Sequence, residues 1–292
     1  MSAAPKPSPF RRRDTGPEKE IDVGLPPAAA PRADKRKAAK ALDLSGVPPT
    51  WLMIGQGRAG KTTFARWAAD RAATAGRDLT LAAVDPAQRT LAGFFDQVEQ
   101  PDTSDPAQAA KWLGEALGGV MEAPSPLMVD LGGGDLSLLN LLDLMPDIAE
   151  AMEEAGAAPV AAYFLSTRVD DLAALRTHED RGFQPKATLL VLNEAHVDPG
   201  EDVDEAFGPV MRHSRFRSAV ARGAIVVRMP RLVPAALARE IERKRFLFSD
   251  ARDGLVPEGR DAQPLGPFDR ALVRRWIDAM ELAFAPVGSW LP

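Results

Sequence analysis

The sequence predicts an α/β fold: a doubly wound, mainly parallel sheet with helices on both faces, preceded by a disordered N-terminal tail. Three observations carry this expectation. From residue 48 onward, apolar runs alternate with segments of helical period, the pattern that builds βαβ units with right-handed crossovers. The apolar runs lack polar alternation, as strands buried on both faces do. The first run, residues 51–54, leads into Gly55-Gln56-Gly57-Arg58-Ala59-Gly60-Lys61-Thr62-Thr63 and then a helical pattern from Phe64. That is the strand, turn and helix order of a phosphate-cradling Walker A loop, G-x-x-x-x-G-K-[ST].

The elements are expected in the following order. Residues 1–47 hold alanine runs, many prolines and ten Lys/Arg against six Asp/Glu up to Gly46. Such a stretch buries too little surface to offset its ordering entropy. Strands follow at 51–54, 79–84, 127–129, 160–165, 187–192 and 224–227, each a short apolar run. Helices are expected near 61–75, 106–117, 136–155, 169–177, 202–211 and 234–248. Asp170 and Asp171 at the start of one suit the positive end of its dipole. The leucine-rich run 136–145 is apolar over most of its surface, which suits a core and also a dimer or partner face. In 234–248, Leu237 and Ile241 share one face while Arg239 and Arg243 share another. A last helix near 268–284 is expected to dock through Trp276, Leu282, Phe284 and the following Trp290. One domain, 48–292, accounts for all of these.

Composition narrows the chemistry. The chain has 292 residues, 45% of them hydrophobic and 26% charged, enough for one sizeable core. No cysteine occurs, which excludes a disulfide framework, a thiolate metal site and a cysteine nucleophile. His178, His196 and His213 are scattered, so no zinc site is expected. No apolar run reaches the length of a membrane span, and the N-terminal arginines precede no apolar signal segment; a cytoplasmic protein is expected. The net charge of −5 joins a basic tail to an acidic domain. Arg11–Arg13 and Lys35–Lys37 suit contact with nucleic acid, an anionic membrane or a partner, and equally a solubilising leader.

Two motifs carry the chemistry. In the loop, glycines let backbone N–H groups close around phosphate oxygens, and the helix N-terminus adds partial positive charge. Lys61 is expected to reach the β/γ-phosphates and the Thr62 hydroxyl to ligand Mg²⁺. The second motif, Leu127-Met128-Val129-Asp130-Leu131-Gly132-Gly133, ends an apolar strand in a carboxylate. That is the Walker B pattern, with Asp130 holding Mg²⁺ through water. Asp130 and Gly133 also stand as D-x-x-G, a spacing suited to a loop whose backbone senses the γ-phosphate.

With these residues in place, the chain resembles the ParA/MinD group of P-loop ATPases. Their K-G-G-x-G-K-T-[ST] loop corresponds to Gln56 through Thr63. Val84-Asp85-Pro86-Ala87-Gln88-Arg89-Thr90-Leu91 looks like their D-x-D-P-Q-x-[ST]-L switch segment, shortened or shifted by a residue. Asn193, after Leu190-Val191-Leu192, looks like their strand-end asparagine that recognises adenine. The guanine signature N-K-x-D is missing, since Glu194 and His196 stand at its second and fourth positions. The resemblance implies ATP and Mg²⁺ as ligands, an ATP-dependent homodimer, slow hydrolysis, and a partner protein that stimulates or reads the nucleotide state. The implied process is plasmid or chromosome partition, DNA transfer or a related positioning task.

Two departures matter. The family's lysine that reaches the partner's nucleotide is replaced by Gln56, and its second glycine by Arg58. Arg58 either supplies the missing charge across the dimer, as an arginine finger does, or is a solvated loop residue. Only Asp85 remains of two switch aspartates, to orient the attacking water. These departures leave open a nucleotide-binding adaptor with little turnover, and the fold also leaves open a small-molecule kinase or ligase. Between Arg212 and Arg245 stand ten Lys/Arg and two Asp/Glu. Arg239, Arg243, Lys244 and Arg245 are the candidates for contacting DNA without sequence preference, as partition ATPases of this group do.

Overall fold

The computed structural model describes residues 41–84 and 91–292. The tail up to residue 40, with its expected disorder, and Asp85 with the rest of the switch-like segment to Thr90 lie outside the described residues. Seven strands form one sheet in the order β3-β2-β4-β1-β5-β6-β7: β1 (Pro49–Ile54), β2 (Thr80–Ala83), β3 (Val98–Glu99), β4 (Leu127–Asp130), β5 (Ala158–Leu165), β6 (Ala187–Asn193) and β7 (Ile225–Met229). All six pairings are parallel. The expected doubly wound architecture is therefore the observed one.

Alternate residues of each central strand serve opposite layers. On β1, Trp51 and Met53 enter one core and Leu52 and Ile54 the other. On β5 and β6, Phe164 and Val191 share the first core while Tyr163 and Leu192 share the second. Burial on both faces is why these strands read as unbroken apolar runs. The first layer consists of α1 (Lys61–Thr74), α8 (Ala235–Lys244), α9 (Phe248–Asp253) and α10 (Pro267–Phe284). The second consists of α2 (Pro106–Glu122), α3 (Ser137–Leu144), α4 (Ile148–Glu154), α5 (Leu172–Glu179), α6 (Val203–Arg212) and α7 (Ser214–Ala221).

Local chemistry sets the boundaries. Asp105 caps α2 by accepting from Ala107 N at 2.8 Å and Gln108 N at 3.1 Å, with Pro106 at the first helical position; proline's fixed φ and missing N–H suit that place. Asp202 caps α6 in the same way. The single helix expected over 136–155 is two, α3 and α4. Pro146 disfavours helical backbone at Met145, which takes φ −141° and ψ 78°. The helix expected over 234–248 stops at Lys244, because Arg245 turns left-handed at φ 53°, and α9 begins at Phe248. The short edge strand β3 and helix α7 add to the expected set. Residues 41–47, grouped with the tail by composition, contact the domain: Leu44 is buried, and its N–H donates to Ser289 Oγ at 3.1 Å. No helix among the described residues is long and apolar enough to cross a membrane.

Candidate functional site

The glycine-rich loop leaves the C-terminal end of β1, mid-sheet, where ligand crevices of parallel sheets form. Its far end is Gly60, at φ 100°, which caps the start of α1. A Cβ at Gly60 would lie 2.4 Å from Asn193 Nδ2, so both the backbone turn and the close approach demand glycine. The helix that follows is pinned by Phe64, whose ring centroid lies 5.1 Å from Trp51, 5.5 Å from Phe164 and 4.9 Å from Phe284. Fully burying one such side chain stabilises by about 1.5–3 kcal/mol.

Strand β4 is the parallel neighbour of β1, in a register that places Asp130 beside Met53. This adjacency joins the two motifs: Thr62 Oγ1 donates to Asp130 Oδ2 at 2.8 Å. Lys61 Nζ donates to Gly55 O at 2.8 Å and Gln56 O at 3.0 Å, folded along the inside of the loop. Burial pushes the Lys61 ammonium below its ordinary pKa, and the carboxylates of Asp130 and Asp135 pull the other way. Asp135 is itself fixed, accepting from Ser137 N at 2.5 Å. A cavity of about 360 Å³ opens here, lined by Gly57 to Thr63, by Ala83, Asp130, Gly132 and Gly133, and by Glu242 from α8. The loop turn, the lysine and the helix N-terminus together suit a chain of phosphates.

Gly133 presses on the loop itself. A Cβ there would stand 2.2 Å from Gly57 N and 2.6 Å from Gly57 Cα, so glycine is needed for the two loops to lie together. Asn193 is buried beneath the loop: its Nδ2 donates to Ala59 O at 2.8 Å and its Oδ1 accepts from Ala195 N at 3.0 Å. Gln56, Gly57 and Arg58 form the exposed outer tip, with Arg58 at φ 65°. Ala59 is buried under that tip and Thr63 is half-buried on the first turn of α1. Asp85 lies outside the described residues.

The C-terminal basic run divides over the molecule. Arg212 to Arg222 belong to α6, α7 and their flanks, whereas Arg239 and Arg243 ride on α8 in the opposite layer. Several members are spent locally. Arg215 pairs with Asp180, Arg222 with Glu179 and Arg228 with Asp204. Lys244 pairs with Glu240 at 2.7 Å and donates to Gln263 O. Arg239, Arg243 and Arg245 are exposed. One continuous cationic face over 212–245 is thus not what the fold builds.

Sequence reasoning missed two residues here. Arg66, one turn beyond Thr62 on α1, is buried, donates from Nη2 to Phe246 O at 3.0 Å, and lies 3.5 Å from the Phe94 ring centroid and 4.7 Å from that of Phe248. Burial pulls its pKa down to about 10, against the attraction of Glu242 and Asp70. A lone arginine in the otherwise apolar stretch 64–69 was its only sequence signal. Glu242 gave none.

The donor set fits magnesium. Thr62 Oγ1 and Asp130 Oδ2 are hard oxygens brought together at 2.8 Å, the kind of donors magnesium takes directly or through water. Mg²⁺ is usually bound through one or two protein oxygens, phosphates and water rather than an all-protein cage.

No family model and no curated protein matches the sequence. Among solved structures, the chain is similar to chloroplast FtsY from Physcomitrella patens, with 18% identity over 82% of this chain and 68% of that one, at a TM-score of 0.40. The cell division protein FtsY from Thermotoga maritima matches at 14% identity, 82% and 71% coverage and a TM-score of 0.38. FlhF complexed with GTP/Mg(2+) matches at 14% identity, 80% and 77% coverage and a TM-score of 0.38.

Proposed function

We propose that this protein is a nucleotide-dependent switch of the ParA/MinD type. In this reading it binds ATP with Mg²⁺, pairs with a second copy when ATP is bound, and uses slow hydrolysis to time plasmid or chromosome partition, DNA transfer or a related positioning process. The observation that carries the reading is the 2.8 Å contact between Thr62 and Asp130 at the mouth of a glycine loop that holds Lys61. Spacing in the sequence suggested both motifs separately; their meeting at one cavity supports a single phosphate and metal site.

The roles follow from position. Lys61 leaves the loop carbonyls to neutralise phosphate oxygens, which the loop N–H groups help to cradle. Thr62 and Asp130 hold the cation, which when bound supplies charge neutralisation on the phosphates. Asn193 Nδ2 has two hydrogens and the loop carbonyl takes one; the second serves adenine. Asp85 lies outside the described residues and is carried only as the sequence candidate for orienting water; Arg58 at the exposed tip reaches the partner's nucleotide. Arg239 and Arg243, with Lys244 and Arg245 beside them, contact DNA phosphates in the partition reading.

The test is turnover of ATP and of GTP against protein concentration, with and without duplex DNA. Activity per protomer that rises with concentration and favours ATP supports the reading, and loss of nucleotide binding in Lys61→Ala locates it. A GTP preference overturns the assignment of the base, and absence of binding overturns the whole. The exposed, uncharged Gln56 favours a second reading, a nucleotide-binding adaptor that recruits a partner; tight ATP binding without turnover at any concentration selects it. DNA affinity that does not fall with salt removes the DNA role.

A further inference from the structure

We propose that Glu242 is a catalytic residue of this cavity, the carboxylate that accepts a hydrogen bond from the water attacking the γ-phosphate. The inference rests on the hydrolytic reading above and names a group that neither nucleotide motif contains.

Two acids line the cavity, Asp130 and Glu242. Asp130 is engaged with the Thr62 hydroxyl. Glu242 is exposed on α8 and lines the cavity together with Thr62, Thr63 and Ala83; among the described residues it makes no hydrogen bond or ion pair, and its charge attracts the buried Arg66. A carboxylate on a residue that lines a site built for phosphates is repelled by them, and it is best accommodated there when a hydrogen-bond donor stands between. Water is that donor.

The position of Glu242 is held from two sides. Leu237 and Ile241 bury the inner face of α8 in the first core. Just past the helix, Phe246 O accepts from Arg66 Nη2 at 3.0 Å, and Arg66 lies one turn along α1 from Thr62. The helix that carries the cation-holding hydroxyl and the segment just past α8 are therefore tied through one buried arginine, packed against the Phe94 and Phe248 rings. Preorganisation of this kind is what positioning a water requires.

The step balances without another reagent. The water oxygen forms a bond to the γ-phosphorus as the bond from that phosphorus to the β–γ bridging oxygen breaks, and the electron pair stays on the nucleoside diphosphate. Glu242 takes the proton the water loses and passes it to the released phosphate or to solvent.

The competing explanation is that Glu242 serves only to balance the charge of buried Arg66. The experiment compares the parent protein, Glu242→Gln and Asp85→Asn, each by melting temperature, affinity for a non-hydrolysable ATP analogue, and single-turnover hydrolysis. The expected result for Glu242→Gln is a rate at least about 100-fold lower, with analogue affinity within about threefold of the parent and melting essentially unchanged. A parental rate overturns the proposal while leaving the hydrolytic reading intact, and so does a rate loss matched by loss of affinity or of folding. Loss of turnover in Asp85→Asn alone assigns the water to Asp85 and overturns it too. If the parent binds the analogue but never hydrolyses ATP, the hydrolytic reading fails first and Glu242 with it.

Discussion

Arg58 holds a left-handed backbone, φ 65°, where a Cβ costs about 1–2 kcal/mol and glycine nothing beyond its entropy. A cation kept at that cost, at the exposed tip of a phosphate loop, fits a role reaching beyond its own chain. Arg58→Gly should raise the melting temperature slightly, by about 1–3 °C for a domain of this size, while abolishing the rise of ATPase activity with protein concentration. A variant that keeps that rise removes Arg58 from the cross-dimer role. Asn193 works inward. Asn193→Ala strands the buried Ala59 carbonyl and should cost about 1–3 kcal/mol, read as a lower urea midpoint and weaker nucleotide binding together. Lys61, Thr62 and Asp130 were legible because each sits in a contiguous motif whose spacing is its geometry. Asn193 was legible as a strand-end residue, but its bond to Ala59 spans 134 positions. The Arg66 bond to Phe246 spans 180, and no local pattern encodes such a partner; Glu242 is unreadable because only the fold brings α8 to the cavity.

Among the elements, α5 carries a testable titration. Its His178 is buried beside Tyr163, whose hydroxyl lies 3.5 Å from Nδ1. Burial, helped by the Arg181 charge, pulls the imidazole down to about 4 from 6.5. The folded state then binds fewer protons than the unfolded chain between those values, so stability rises with pH across that window. It is complete above about pH 6.5 and lost as pH falls toward 4, by up to about 3 kcal/mol at 1.36 kcal/mol per unit. Neighbouring Glu179, whose pKa burial raises, acts with the opposite sign. The diagnostic is therefore the difference between parent and His178→Gln: urea unfolding from pH 7 to 4 should be flatter in the variant. Strands β1, β5 and β6 were read closely because burial on both faces writes one apolar run per strand. The 136–155 helix was read too long, since its apolar pattern crosses Pro146 while its backbone does not. The two residues of β3 pair only with β2, too short for any period to register.

At the scale of the whole molecule, the sheet order matters more than any one contact. Strands β1, β2 and β4 send their C-terminal ends to one cavity, and α8 reaches the same place from beyond β7. The base of β1 is closed by a distant segment. Trp51 Nε1 donates to Trp290 O at 2.7 Å, and Trp290 Nε1 donates to Leu42 O at 2.6 Å. Removing residues 285–292 would expose the Trp51 ring, orphan its N–H and lose the burial of Val287, Trp290 and Leu291. The expected loss is about 4 kcal/mol or more, seen as a lower urea midpoint and a red shift of tryptophan emission at rest. The fold class was legible because alternating elements leave few topologies; the closure was not, because both tryptophans read simply as core.

That closure has a consequence for how the protein comes into being. The strand that bears the phosphate loop leaves the ribosome before both of its sheet neighbours, since Thr50 pairs with Leu127 on one side and Pro159 on the other. Its tryptophan waits longer still, for a carbonyl at position 290. Nascent chains therefore carry the glycine loop long before the strand that bears it is paired on both sides and closed at its base.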